Sequence, residues 1–328
     1  MERILGIGLG FWESRTLLSA VELGVFTTLG DRRLTAEELR GELGLHPRAA
    51  RDFFDALVAM EILRREDGRY ANTADTATYL DRNRGEYLGS FLEMAGARLY
   101  GFWGNLTEAL RTGQPQNEAR QGGDFFAALY EDLDRLRDFQ RAMTGLSLPS
   151  AHVIAARFPW QRWITVADIG TAQGALLRAV LQEHPHLQGI GYDLPAVEPL
   201  FTEYVAPLGK RVAFQPGDFL TDPLPVAEVL VFGHILHDWD LDTKRMLLAK
   251  AHRALPEGGA ILIYETLIDD ERRSNLAGLL MSLNMLIETP GGFDYTAADL
   301  REWLAEAGFR DPRTERLAGP ESMVWALK

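Results

Sequence analysis

From Trp163 onward the chain repeats one pattern: a short apolar run bounded by turn residues, then a segment whose apolar residues recur at helical spacing. ITVADIG, QGIGYDL, VAFQPGD, EVLVFGH and AILIYET read as buried strands, and ALLRAVLQEHP, AVEPLFTEYVAPLG and LDTKRMLLAKAHRAL as helices among them. Parallel strands cannot be joined by a tight turn, so each crossover must return the chain across a face of the sheet, usually as a helix. The repeat therefore predicts an α/β fold, a Rossmann-like, mostly parallel sheet with helices on both faces. The chain closes differently. ADLREWLAEAGF predicts a helix, and DPRTERLAGPESMVWAL two strands turned about Gly319-Pro320, a C-terminal hairpin that adds an antiparallel strand.

At 328 residues there is room for more than this one domain. Residues 11–29 place Leu17, Leu18, Val21, Val25 and Phe26 at helical spacing, and Gly24 interrupts only the last turn. Thr35 and Glu38 have the spacing of a capping box. The next helix is expected to start at Pro47 and to turn Ala50, Phe53, Phe54, Leu57 and Val58 inward. Asp67-Gly68 then predicts a hairpin turn. Helices followed by a hairpin make residues 1–85 an α-rich, winged-helix-like domain. Residues 86–155 predict a helical connector, two stretches rich in aromatics and methionines around a polar loop at 112–124. Residues 156–328 form the Rossmann-like domain.

Winged helices often bind DNA, a partner that demands clustered positive charge. Residues 1–90 instead carry twelve arginines and no lysine against fifteen acids, and the whole chain has a net charge of -13. A packing or dimerisation role is expected, with no nucleic-acid partner. No apolar run approaches the roughly 18 to 20 residues that span a bilayer, so no membrane association is expected. With no cysteine, thiolate metal sites and cysteine nucleophiles are excluded. The start of the chain does not resemble a signal peptide, and the cytoplasm is the simplest placement.

Ligands of such sheets sit at the carboxyl ends of the strands. The first strand runs into Asp168-Ile-Gly170-Thr-Ala-Gln-Gly174, the second into Asp193, and the third into Gly217-Asp218-Phe219. The separation from Gly170 to Asp193 suits a carboxylate that reaches a ribose diol, and Phe219 offers an aromatic face to an adenine. NAD requires a glycine-rich pyrophosphate cradle, and Thr171-Ala172 stand where the middle glycine should be. S-adenosylmethionine has no phosphate, and its sulfonium favours acidic surroundings. The three aspartates with the terminal hairpin favour it.

Together LLSAVELGVF, ELGLHPRAARDFFDAL, DIGTAQGALL, HPHLQGIGYDLPAV, GDFLTDPLP, HILHDWDLD, ALPEGGAILIYE and LNMLIETPGGFDYTAADLREWLAEAGF resemble one family over nearly the whole chain. They are similar to the class I S-adenosylmethionine-dependent methyltransferases, in the subgroup of homodimeric small-molecule O-methyltransferases. The resemblance implies that the winged-helix region dimerises and that the substrate is a hydroxylated, aromatic small molecule. It makes Ser147, Asp168, Gly170, Asp193, Leu194, Asp218, Phe219 and Gly233 cofactor positions. His237, the histidine before Asp-Trp, becomes the catalytic base, flanked by Glu265 and Asp294. Trp103, Phe139, Met143, Asp238, Met281, Asn284 and Met285 become substrate positions.

Three departures stand out. Asp294 is a methylene shorter than the family's Glu, with Phe293 and Tyr295 where many members have basic residues. Thr171-Ala172-Gln173 replaces a more glycine-rich loop, and Gly233 replaces a lysine of plant members.

A phenol titrates near about 10 and a histidine near about 6.5, so neutral His237 can take a phenol proton as the oxygen attacks. His234 is expected to serve as scaffold that hydrogen-bonds backbone, Asp240 and Asp242 to open the next helix, and His184, His186 and His252 to be solvated. C- or N-methylation on the same scaffold is the alternative chemistry, including a metal-assisted reaction on a 2-oxo acid. A non-enzymatic winged-helix regulator is the alternative class. No third histidine joins His234 and His237 in the facing segment, so no metal is expected.

Overall fold

The computed structural model describes residues 1–118, 129, 130 and 132–328. Part of the expected loop, 119–124, and residues 125–128 and 131 of the second expected helical stretch lie outside the described residues. The chain divides into two compact units, Met1–Gly101 and Phe102–Lys328.

The first unit contains helices α1 (Glu2–Glu22), α2 (Val25–Leu29), α3 (Ala36–Glu42), α4 (Ala50–Ala59), α5 (Ala74–Tyr79) and α6 (Gly89–Met94). Its strands β1 (Leu34–Thr35), β2 (Leu63–Glu66) and β3 (Arg69–Asn72) form a sheet in the order β1-β3-β2. Val21, Val25, Phe26, Leu29, Phe54, Leu57 and Tyr70 form its core. Gly24, at φ 73°, breaks α1 from α2. Thr35 and Glu38 make the reciprocal capping box, and Asp67-Gly68 turns β2 into β3 with both residues at positive φ.

One expectation fails here, and one helix extends beyond the segment expected to be helical. Helix α4 begins at Ala50, not Pro47: the His46 ring accepts the Arg48 N–H at 3.2 Å, holding a turn, and Ala49 at the helix entry has no side chain to cap with. Helix α1 begins at Glu2 despite Gly6, Gly8 and Gly10, each of which costs a helix about 1 kcal/mol relative to alanine. Its first turns leave Ile4, Leu5, Ile7, Phe11 and Trp12 exposed. Residues 86–101 belong to this first unit, where Gly96 lies against Leu18 and Arg15.

Helix α7 (Tyr100–Trp103) crosses the division, and α8 (Leu106–Thr112) and α9 (Leu133–Arg157) follow. The second unit is built on β4 (Thr165–Ile169), α10 (Ala175–Glu183), β5 (Gln188–Asp193), α11 (Glu198–Val205), β6 (Val212–Pro216), β7 (Val229–Gly233), α12 (Leu241–Ala254) and β8 (Ala260–Glu265). It ends with α13 (Leu276–Glu288), α14 (Ala297–Glu306), β9 (Arg310–Arg316) and β10 (Ser322–Leu327). The seven strands lie in the order β6-β5-β4-β7-β8-β10-β9. All neighbours through β8 are parallel, and β10 inserts antiparallel between β8 and β9. Apolar cores cover both faces, one built on Leu176, Leu177, Phe201 and Trp325, the other on Leu230, Phe232, Leu247 and Trp303. Strand order reverses at β4, so β4, β5 and β7 open a crevice at their carboxyl ends, the usual ligand position of this topology.

Candidate active site

The crevice starts at the end of β4. Gly170, Ala172 and Gly174 all take positive φ, 71°, 49° and 86°. A left-handed alanine costs about 1–2 kcal/mol. That cost is offset by the Ala172 N–H, which donates to Asp193 Oδ2 at 2.9 Å, a charge-assisted bond. A Cβ on Gly170 would run into Ile235, with Phe219 also alongside, so glycine lets the backbone approach both. The Leu194 N–H donates to Asp193 Oδ1 at 2.8 Å, and the Thr171 hydroxyl to Asp168 Oδ2 at 3.0 Å. Burial pushes the carboxyl of Asp168 up to about 7, with Asp193 adding to the rise and Thr171 opposing it. Burial likewise pushes Asp193 to about 6 against the pull of the two amides and the Tyr130 hydroxyl. A ligand that brings hydroxyl donors or positive charge to this edge relieves two poorly solvated acids.

The other expected cofactor positions are more distributed. Asp218 caps its own turn, accepting from Leu220 N–H at 2.8 Å and Thr221 Oγ1 at 3.0 Å. Phe219 meets the Trp239 ring edge-on at 5.9 Å. Ser147, buried on α9, faces the Tyr264 hydroxyl. The Tyr264 ring fills the space where a Cβ on Gly233 would lie.

The end of β7 delivers the histidines. His234 takes φ 54° and turns the chain out of the strand. It does not bind backbone through its ring: Nε2 lies 3.1 Å from the buried Glu321 carboxylate, just ahead of β10. The 3-10 turn Leu236–Asp238 follows, and its Leu236 and His237 N–H groups donate to Glu265 Oε1 at 2.8 and 3.2 Å. Glu265 thus clamps the backbone that presents His237, while Asp294 Oδ1 faces the ring at Nδ1, 3.3 Å away. Gly292 packs on the His237 and Asp238 carbonyls, where a Cβ would not fit, and so brings the Asp294 segment close. Asp238 lies 3.7 Å from Nε2 on the other side of the imidazole. Burial lowers the basicity of His237, but Asp238, Asp294 and Glu265 together outweigh it and raise its pKa to about 10. Burial pushes Asp238 up to about 6, partly countered by His237.

Helix α13 places Met281, Asn284 and Met285 on one face by their i, i+3, i+4 spacing. The Trp103 indole N–H donates to Asn284 Oδ1 at 2.9 Å, which fixes the amide with its NH2 turned away from the indole. Met285 is buried and Met143 half-buried. Phe139 packs with Leu129, Leu136 and Leu200. Asp240 caps α12 through the Thr243 N–H, with Asp242 in its first turn. His184 departs from expectation: it is buried, with Nε2 2.7 Å from the Ala155 carbonyl, because its helix ends against α9. His186 stays exposed but reaches the Trp160 carbonyl at 3.2 Å, and His252 packs edge-on against Phe309.

Sequence reasoning missed Lys244, which is wholly buried beside this cluster, and noted Tyr295 only as a departure from the family pattern, whereas its side chain faces Glu265. Burial lowers the Lys244 pKa to about 8 against four neighbouring carboxylates. Its position on the inward face of α12, one turn after Asp240, was a readable signal. His237, Glu265 and Asp294 offer ligand atoms within 4.8 Å of one another, near enough to share a divalent ion. Glu265 Oε1 is already held by two N–H donors, and Asp294 Oδ1 by the ring.

A family model described as an O-methyltransferase domain matches residues 103–310, and one described as an O-methyltransferase dimerisation domain matches residues 6–82. Tetracenomycin polyketide synthesis 8-O-methyl transferase TcmO of Streptomyces glaucescens is 43% identical over 328 residues, 99% of this chain and 96% of that protein. The N,N-dimethyltransferase OxyT of Streptomyces rimosus is 37% identical over 96% of this chain and 92% of its own. The crystal structure of human N-acetylserotonin methyltransferase in complex with SAM aligns with a TM-score of 0.92 at 27% identity, covering 100% of this chain and 97% of that one. With the reversed-order sheet, the acidic crevice and matches across both units, this chain belongs to the S-adenosylmethionine-dependent small-molecule O-methyltransferases.

Proposed function

We propose that this enzyme methylates a phenolic hydroxyl of a polycyclic aromatic substrate, with His237 as general base. The observation that carries the reading is the buried His237–Asp294 contact at the carboxyl end of β7, on the same sheet edge as Gly170 and Asp193. The polyketide relative at 43% identity supports the substrate class.

S-adenosylmethionine, when bound, supplies a methyl group already activated on a sulfonium. Gly170 and Leu194 are proposed to approach it with backbone, Asp193 to accept from its hydroxyls, and Phe219 to cover its flat base, with Ser147, Asp168, Asp218 and Gly233 shaping the surroundings. The close backbone at Gly170 and the two buried, poorly solvated acids suit such a cationic ligand. A positive charge at this edge also lowers the proton affinity of His237 and favours the neutral imidazole. His237 Nε2 then accepts the phenol proton as the oxygen gains the methyl group. Asp294 holds Nδ1–H and stabilises the imidazolium that forms, as carboxylates do beside other catalytic histidines. Glu265 keeps the turn in place. Trp103, Phe139, Met143, Met281, Met285 and the Asn284 amide are proposed to wall and orient the aromatic body, with Asp238 beside the reacting group. Met and aromatic surfaces adapt to planar ligands.

N-methylation is the second reading, favoured by the relative named as an N,N-dimethyltransferase. Incubation with methyl-labelled S-adenosylmethionine and matched phenolic or amino-substituted polycyclic aromatics, with and without chelator, separates the readings by the mass and position of the label. Label on nitrogen alone would overturn the first reading, and activity abolished by chelator would overturn the metal-free mechanism.

The enzyme is further proposed to work as a homodimer through its first unit. There an open cleft of about 600 Å3 is lined by Phe11, Trp12, Leu23, Leu45, Phe53 and Tyr100, among others. Such an apolar surface is the kind that partner chains cover.

A further inference from the structure

In the strand order β7-β8-β10, the width of β8 separates His234, at the end of β7, from Glu321, just ahead of β10. Neighbouring strands lie about 4.8 Å apart, so only side chains that reach over β8 can join the two. His234 and Glu321 do so: Nε2 lies 3.1 Å from Oε1, and the side chains are 10% and 5% exposed, too little for water to replace either partner. The contact is an ion pair, not an aligned hydrogen bond, and Glu321 Oε2 has no hydrogen-bond partner among the described residues. Burial disfavours the His234 imidazolium, but the Glu321 carboxylate outweighs it and raises the pKa above the ordinary histidine value.

His234 is also the strained residue at the exit from β7. Its φ of 54° lies in the left-handed region, which histidine tolerates better than most side chains but which persists only where the surroundings hold it. Its N–H donates to the Tyr264 carbonyl at 3.2 Å. The Tyr264 ring packs where Gly233 lacks a Cβ and meets the His234 ring edge-on at 5.2 Å. Glu321 then grips the imidazole from the side of β10. Three residues on, the same segment presents His237, whose ring centre is 5.9 Å from that of His234. Glu321 is itself fixed: its N–H donates to the Ala318 carbonyl at 3.1 Å, its carbonyl accepts from the Leu317 N–H at 2.9 Å, and Ser322 beside it pairs with Glu265 in the β8–β10 ladder.

We infer that His234 and Glu321 are a positioning pair for methyl transfer: their contact locks the left-handed exit from β7 and so sets where His237 stands relative to the substrate oxygen. The inference rests on His237 as the base. Glu265 holds the segment at Leu236 and His237, and the pair holds it at its entry, so the stretch between is fixed at both ends. Displacing a reacting group by about 1 Å can cost about a hundredfold in rate, so a smaller shift of His237 is enough to be read in kcat. The C-terminal hairpin thereby takes part in the chemistry, since Glu321 lies between β9 and β10.

The test uses the full chain with His234→Asn, Glu321→Gln and the two together. Asparagine accepts the left-handed backbone but is too short to reach Glu321, so it removes the contact and leaves the turn conformation open to the chain. Turnover is followed with labelled S-adenosylmethionine and a hydroxylated polycyclic aromatic, cofactor affinity by calorimetry and Tm by thermal melts. Each single substitution is expected to lower kcat about tenfold, with KM and cofactor affinity within about twofold of wild type. The double variant should lose no more, because both changes act through one contact. Stability should follow a different course. His234→Asn leaves Glu321 buried without its partner and lowers Tm, and adding Glu321→Gln removes that lone charge and returns Tm toward wild type. A kcat that recovers along with Tm in the double variant would make the pair structural only and overturn the inference, as would wild-type kcat in either folded single variant. Weakened cofactor binding at unchanged kcat would also contradict it, making His234 a cofactor contact instead. Should a single variant fail to fold, the double variant decides by the same reading of kcat. His237→Gln tells this failure from that of the base: normal turnover by His237→Gln removes the base assignment, whereas silent pair variants beside an inactive His237→Gln remove only the pair.

Discussion

The two ring nitrogens of His237 meet different surroundings: Nδ1 faces Asp294 at 3.3 Å and Nε2 faces the side of Asp238 at 3.7 Å. Removing the Asp294 charge should lower the proton affinity of His237, because a carboxylate favours the imidazolium. Asp294→Asn is expected to move the rising limb of kcat to lower pH while reducing maximal kcat about 10- to 100-fold, since the ring loses its orienting acceptor. A pH-rate series on the purified variant checks it, and a limb that moves to higher pH would contradict the assignment. His237, Glu265 and Asp294 were legible in the sequence because strand ends and the family motif mark their positions. The division of labour between the two acids was not. That Glu265 binds the backbone and Asp294 the ring depends on how Gly292 packs onto the His237 carbonyl, a contact between segments far apart in the chain. The pairing of His234 with Glu321 was hidden for the same reason.

At the level of elements, the strands β4, β7 and β8 were readable because they are buried on both faces and so read as largely apolar runs. Helix starts were less so. The entry to α4 is set by a His46 turn that no capping pattern announces, and α1 continues through three glycines. The loop after β4 was recognised as a close backbone approach, and its geometry makes a sharp prediction. A Cβ on Gly170 meets Ile235 and demands a left-handed alanine. Gly170→Ala is therefore expected to weaken S-adenosylmethionine binding at least tenfold by calorimetry. It should also lower Tm by several degrees, since left-handed strain alone is about 1–2 kcal/mol. Unchanged affinity in that variant would remove the loop from the cofactor site.

For the molecule as a whole, the sequence separated a helical, acidic first domain from a Rossmann-like second and turned the first away from DNA on charge alone. The exposed apolar turns of α1 lay beyond that reading, because glycines masked the helix. They carry the oligomer prediction. Trp12, 61% exposed on α1, is expected to be covered by a second copy. Trp12→Glu should shift the protein from dimer to monomer in light scattering, with at least a tenfold loss of kcat/KM. A dimer that survives the substitution would place the interface elsewhere.

The central claim is transfer of a methyl group to a hydroxyl with His237 as the base. The most direct measurement pairs product mass with turnover for wild type and His237→Gln, using labelled S-adenosylmethionine and a hydroxylated polycyclic aromatic. Wild type should yield the O-methylated product, and the variant should bind the cofactor with about wild-type affinity yet turn over about 100- to 10,000-fold more slowly. Near wild-type turnover by His237→Gln, at unchanged cofactor affinity, would contradict it.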